Sequence, residues 1–245
     1  MVQGGKSFKD FLIYIKSRKC IINGDSALKT WLSKYKNLGI NEILDVAYVG
    51  DSIGEGYMLT ADTATLLAKA SKWKMSNYFN SKPGLDDVGN GWLHFIYPSL
   101  SPLTTYAGTW ATSNYSFINQ SKTTIEANAT VSFPFAGTGC EIWVQKAPSL
   151  GTIGVSVDGG DEVIMSLADA TGFPVKMTIT SGLVNTNHTV TITNKEAKRI
   201  HFSGYMEHKG TRGVRVHMCA KTGNVAGNFI DATKNLPWFT LLIPI

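Results

Sequence analysis

The sequence predicts an α/β fold of about three parallel strands, interrupted by an inserted antiparallel β-sandwich. Three observations carry this. An apolar run over 43–49 reads as a buried strand; it stops at Gly50-Asp51-Ser52, and a helical pattern follows from about Thr60. Between Tyr106 and about Tyr205 the chain becomes a series of short segments that alternate apolar and polar residues, with turn signals between them. After Gly213 longer apolar strands return over 214–220 and 238–245. The implied division is a helical lead-in over 1–40, an α/β part in two segments over 41–105 and 213–245, and a sandwich over 106–212.

Taken in order, Phe8, Phe11, Leu12 and Ile15 are spaced for one helical face. A second short helix over 27–35 places Leu28, Trp31 and Leu32 together, with Asp25 or Ser26 of Gly24-Asp25-Ser26 as its N-cap. Over 60–79, Leu66, Leu67, Ala70 and Trp73 form an apolar helical face, which Lys82-Pro83-Gly84 ends. Asp87-Val88-Gly89-Asn90-Gly91-Trp92 is a glycine-rich loop leading into 93–97. It reads either as a turn that needs glycine or as a border of a site beside Ser52.

The segment 125–135 puts Ile125, Ala127, Ala129, Val131, Phe133 and Phe135 on one face of a strand. Further strands are expected over 140–145 and 153–157. Asp158-Gly159 then forms a type I′ turn, a reading preferred to a calcium site at Asp158, Asp161 and Glu162. Strands over 162–167, 176–180, 188–193 and 199–204 complete a jelly-roll-like sandwich, with His188, Val190 and Ile192 opposite a threonine face. Trp110, Tyr115, Phe117, Trp143, Phe173 and Tyr205 are core residues by default; an exposed row of them would offer faces to sugar rings.

Composition narrows the function. Hydrophobic residues make up 43% and charged residues 17%, which suits a chain with ample core. The net charge of +5 is spread without a basic stripe, so no nucleic-acid partner is expected. Cys20, Cys140 and Cys219 are too few and too scattered for a disulfide framework or a zinc site. No metal, cofactor or membrane partner is expected, and neither a signal peptide nor a membrane-spanning window is seen.

The stretch Val46-Ala47-Tyr48-Val49-Gly50-Asp51-Ser52-Ile53-Gly54-Glu55-Gly56-Tyr57 resembles the first sequence block of the SGNH (GDSL-type) hydrolases, whose nucleophile is the serine of Gly-Asp-Ser. The resemblance implies a flavodoxin-like three-layer fold and a serine esterase acting on acyl or acetyl esters, carbohydrate esters among them. Ser52 takes the role of nucleophile, with Gly50, Asp51 and Gly54 supporting its turn. Val225-Ala226-Gly227-Asn228 resembles the family's second block, so the N–H groups of Ser52 and Gly227 become the oxyanion donors, with Gly223 as the alternative to Gly227. By analogy such a protein works outside the cell or on a virion.

Two further blocks of the family are missing from these residues. The asparagine block should follow the strand 238–245, and no aspartate has a histidine three residues on. Among the histidines, His94 is the one kept as a substitute base. His188 and His201 fall on sandwich strands, His208 in a polar connection, and His217 mid-strand below the site. The expectation is a fragment, inactive by itself, that self-associates through the exposed edge of its third parallel strand. The alternative is a carbohydrate-binding or phage receptor-binding module without catalysis.

Overall fold

The computed structural model describes residues 24–50, 71–94, 103–113, 121–170 and 174–220. The chain divides into two compact units, 1–39 and 40–245. In the first, α1 (Gly24–Lys36) carries Trp31 and Tyr35 one turn apart, their rings stacked at 5.3 Å. The helix is described from Gly24, and the side chains of Asp25 and Ser26, the expected N-cap, lie outside what is described. Lys34 and Lys36 fall in the last turn, where positive charge meets the negative end of the helix dipole. The expected helical face at Phe8, Phe11, Leu12 and Ile15 lies outside the described residues.

The second unit is mostly β. It runs through β1 (Ile43–Gly50), α2 (Ser71–Asn80), β2 (Leu93–His94), β3 (Thr105–Ala107), β4 (Ala111–Ser113), β5 (Ser121–Thr124) and β6 (Thr130–Gly137). It continues through β7 (Gly139–Gln145), β8 (Thr152–Val157), β9 (Val163–Ser166), β10 (Pro174–Thr180), β11 (Thr186–Asn194), β12 (Ile200–His208) and β13 (Gly213–Ala220). β1 and β13 form a two-stranded parallel sheet. The strands between them make two antiparallel sheets, one ordered β10-β7-β12-β5-β4 with β2 also on β12, the other β3-β6-β11-β8-β9.

The sandwich closes because alternate residues of both sheets point at each other. Val131, Phe133 and Phe135 of β6, Ile153 and Val155 of β8, and Val190 and Ile192 of β11 meet Ile142, Val144, Ile200, Phe202 and Tyr205 from the other sheet. Each such side chain fully buried contributes roughly 1.5–3 kcal/mol. The Tyr205 ring stacks on Phe133 at 4.5 Å and its hydroxyl donates to the Pro134 carbonyl, so it is a core residue. Thr189, Thr191 and Thr193 take the opposite face of β11 from His188, Val190 and Ile192, as the alternation predicts.

Three details differ from the sequence reading. β6 begins at Thr130, and Ile125 is 61% exposed. The residues before it turn at Asn128 (φ 66°), whose N–H donates to the Asn194 carbonyl at 2.7 Å. The apolar alternation runs on into that turn by composition alone. β12 reaches His208, so that residue is in a strand and not in a polar connection. The sandwich sheet also recruits β2, earlier in the chain than Tyr106.

The Asp158-Gly159 turn is as expected: φ is 53° and 73° at the two positions, and the Gly160 N–H donates to the Val157 carbonyl at 2.9 Å. His188 adds a lock. Its Nδ1 lies 2.6 Å from Asp158 Oδ2 and its Nε2 lies 2.8 Å from the Val184 carbonyl. Both partners only accept, so both ring nitrogens donate and the imidazolium is the form that fits. The Asp158 and Val184 bonds raise the His188 pKa above its ordinary value. Stability from this lock is full below the unfolded value near 6.5 and is lost as pH rises through the folded value. His188→Gln should therefore lower the melting temperature most below pH 6.5, with the gap to wild type closing at higher pH. A gap independent of pH, read by thermal scans from pH 5.5 to 9, would contradict this.

Candidate active site

β1 and β13 are apolar strands, each broken by one charge at its third residue: Asp45 in Ile43-Leu44-Asp45-Val46 and Arg215 in Gly213-Val214-Arg215-Val216. The parallel register sets these two residues directly opposite one another. Arg215 Nε donates to Asp45 Oδ1 at 2.7 Å and Nη2 donates to Oδ2 at 3.2 Å, a bidentate pair. His217, two residues on and on the same face, donates from Nε2 to Asp45 Oδ1 at 2.8 Å. Burial works to raise the Asp45 pKa, but the His217 and Arg215 hydrogen bonds outweigh it and bring the carboxyl down to about 2.

The network continues into the sandwich. Arg215 Nη1 meets His208 Nδ1 at 3.3 Å, and His208 Nε2 lies 3.3 Å from Glu141 Oε2. Lys176 Nζ lies 3.2 Å from the same carboxylate. Burial opposes ionisation of Glu141 as well, yet the His208 and Lys176 contacts hold its pKa at about 2. A chain of alternating charge and hydrogen bond thus runs from β1 through β13 and β12 to β7 and β10.

The glycine-rich loop lies between these parts. A Cβ on Gly91 would stand 2.4 Å from the Val216 carbonyl oxygen, and one on Gly89 (φ +85°) 2.8 Å from the Glu207 carbonyl oxygen. Glycine is required at both positions for close approach to β13 and β12. Asn90 donates from its backbone N–H (3.1 Å) and its side chain (2.6 Å) to Glu207 Oε2, and the Trp92 N–H donates to His217 Nδ1 at 3.0 Å. Trp92 packs against Trp143 with ring centroids 5.7 Å apart, both within 2% of full burial. Ahead of the loop, Lys82-Pro83-Gly84 ends α2 in a turn with Gly84 at φ +77° and a Leu85 N–H to Lys82 carbonyl bond of 3.1 Å, the type II pattern.

These contacts decide the role of His217. Its Nδ1 accepts from a backbone N–H and its Nε2–H donates to a carboxylate, so the ring is the neutral Nε2–H tautomer with no lone pair to spare. It is 2% exposed. It lies opposite Ala47, three residues short of the end of the strand, and cannot take a proton from a serine. His188 is spent on Asp158 and Val184, and His208 on Arg215 and Glu141. Burial, then the nearby Arg199 charge, push His201 down to about 4 and keep it neutral. The backbone of His94 pairs with Gly204 in the sandwich sheet.

Of the residues named from the sequence, Gly50 is the last of β1, opposite Ala220. Asp51, Ser52, Gly54, Gly223 and Gly227 lie outside the described residues, as do Tyr115, Phe117, Phe173 and residues 238–245, where a third parallel strand is expected. The Asp45–Arg215 pair was missed. Its signal is present in the sequence: two apolar strands, each interrupted at its third residue by a charge of opposite sign.

A cleft of about 420 Å³ opens at the β4–β5 edge, between Thr109, Ala111, Ile125, Glu126 and Arg199. Among the described residues none that lines it is aromatic. Trp110, beside it in sequence, packs inward against Tyr106 and Phe202 at 5.5 and 6.2 Å. Among the described residues there is no group of three His, Cys, Asp or Glu side chains that could hold a metal, and no helix is long and apolar enough to cross a membrane.

No family model matches this chain, and no curated protein matches it. Several solved structures resemble it distantly. A peptidoglycan O-acetylesterase shares 15% identity over 80% of this chain and 52% of its own length, with a TM-score of 0.49. A family two carbohydrate esterase from Cellvibrio japonicus shares 15% identity over 47% of this chain and 33% of its own, with a TM-score of 0.38. A two-domain esterase active on acetylated mannans shares 11% identity over 53% and 39%, with a TM-score of 0.41. The chain spans about half or less of the length of these structures, and the likeness gives no residue-by-residue correspondence.

Proposed function

We propose that the part built on β1 and β13 belongs to an acyl-ester hydrolase of the SGNH type, with Ser52 as nucleophile and the N–H groups of Ser52 and Gly227 as oxyanion donors. The observation that carries this reading is the pairing of Gly50 with Ala220. The two parallel strands stay paired through Gly50 and Ala220, and the reading takes the residues that follow them to leave one edge of the sheet. That edge is the carboxyl end, where open α/β sheets assemble their sites. The flavodoxin-like three-layer arrangement, the division at 1–40, 41–105 with 213–245, and 106–212, and a third parallel strand over 238–245 belong to the same proposal.

In this reading Ser52 Oγ attacks the ester carbonyl carbon and the two N–H groups hold the resulting oxyanion. The tetrahedral species collapses, expels the alcohol and leaves an acyl-serine, which water then cleaves. The acyl group is acetyl or similarly small, and a sugar hydroxyl is the alcohol. The base that takes the Ser52 proton is not His188, His208 or His217, whose ring nitrogens are already engaged. The competing reading, a glycan-binding module, loses its aromatic row where the structure describes it, because Trp143 and Tyr205 are buried.

The test uses the protein translated from its complete reading frame, with p-nitrophenyl acetate and an acetylated polysaccharide as substrates. Hydrolysis is expected, and Ser52→Ala should lower kcat by several orders of magnitude, on the order of 10⁶-fold where a full triad operates. Unchanged hydrolysis in Ser52→Ala would contradict the assignment. Glycan binding that survives Ser52→Ala, with no hydrolysis by wild type, would favour the binding module.

A further inference from the structure

We infer that Asp45 and Arg215 are positioning residues for the Ser52 site, because their bidentate pair fixes the register in which β1 and β13 deliver their carboxyl ends; this rests on the hydrolase reading above. The two residues are Cα partners in the parallel sheet, and five registered pairs further on Gly50 meets Ala220. Both carboxylate oxygens and all three guanidinium nitrogens are engaged: Nε and Nη2 on Asp45, Nη1 on His208. Arg215 is 7% exposed.

Apolar side chains alone set this register weakly. A slip of two residues keeps every β13 side chain on its face; in the direction that sets Arg215 opposite Ala47, Val214 and Val216 would still meet apolar partners, Val46 and Tyr48. A slip in either direction sets Arg215 opposite Ile43 or Ala47, stranding a buried cation and a carboxylate. It also displaces the end of one strand from the other by about 7 Å. Oxyanion donors tolerate about 0.5 Å. The apolar residues therefore give the strands their burial, and the ion pair gives them their alignment. Through His208 and Glu141 the same pair is referenced to β12 and β7, which makes the sandwich part of the frame that holds the site.

The test separates alignment from stability. The double variant Asp45→Leu/Arg215→Met removes both charges together, so no buried ion is left alone, and it should remain folded. Its kcat for acetyl-ester hydrolysis should fall about 10- to 100-fold with KM changed less than about threefold, the signature of a displaced reacting group. Arg215→Lys keeps the charge but loses the fork, and should not restore kcat. Hydrogen exchange supplies the second readout: amides of 47–50 and 217–220 should lose protection while those of 131–135 and 188–192 keep it. A folded double variant with wild-type kcat, or a fully active Arg215→Lys, would overturn the positioning role and leave the Ser52 assignment standing. A wild-type protein that hydrolyses no ester would overturn both.

Discussion

Arg215→Met is expected to lower the unfolding free energy by about 3–5 kcal/mol, the cost of leaving one member of a buried ion pair without the other. The loss falls on three groups. Asp45, 18% exposed at its side chain, keeps only the His217 donor. His208 Nδ1 loses the donor that faces it at 3.3 Å. Glu141 stays charged at the end of a shortened network. The pH dependence identifies the mechanism. In the wild type the Asp45 pKa is about 2 when folded against 3.8 unperturbed, so its contribution is present above about pH 4 and is lost as pH falls toward 2. Without Arg215, burial raises the folded value and this acid loss shrinks. Urea titrations should show the gap between variant and wild type widest near pH 6 and narrower at pH 3. A gap under about 1 kcal/mol, or one that widens in acid, would contradict the network.

Trp143→Ala should cost a comparable amount, about 3–5 kcal/mol for an indole removed from a packed site. Its neighbours Ile142 and Val144 point into the sandwich core, whereas Trp143 points the other way, onto Trp92 of the glycine loop. The cavity would therefore open between the sandwich sheet and the parallel strands, not inside the sandwich. Hydrogen exchange should show β1 and β13 losing protection well before β6 and β11. A uniform loss across all four strands would mean that the junction and the sandwich unfold as one, against the separate role given to the Trp92–Trp143 contact.

The sheet that holds β6 and β11 was the more legible part of the sandwich, because β12 and β7 are buried on both faces and do not alternate. β6 and β11 alternate strictly, and the Asp158-Gly159 turn needs positive φ at both positions, which that dipeptide supplies. The ends of strands were less legible. Ile125 continues an apolar alternation but lies in the connection between β5 and β6, and His208 looks like loop chemistry although β12 carries it into a half-buried network. The parallel pairing of 43–50 with 213–220 was readable as two similar apolar strands, but the partnership of Asp45 and Arg215 depends on a register that composition does not encode. The glycine loop shows the same limit. Its glycines signal a backbone requirement, and only the structure shows that the requirement is contact with the Val216 and Glu207 carbonyls.

The central claim is that Ser52 is an activated nucleophile, and covalent capture tests it most directly. The protein translated from its complete reading frame would be treated with a fluorophosphonate, digested, and mapped by mass spectrometry. The account predicts one adduct, on the peptide containing Gly50-Asp51-Ser52, and none in Ser52→Ala. No adduct on that peptide, or an equal adduct in Ser52→Ala, would contradict it.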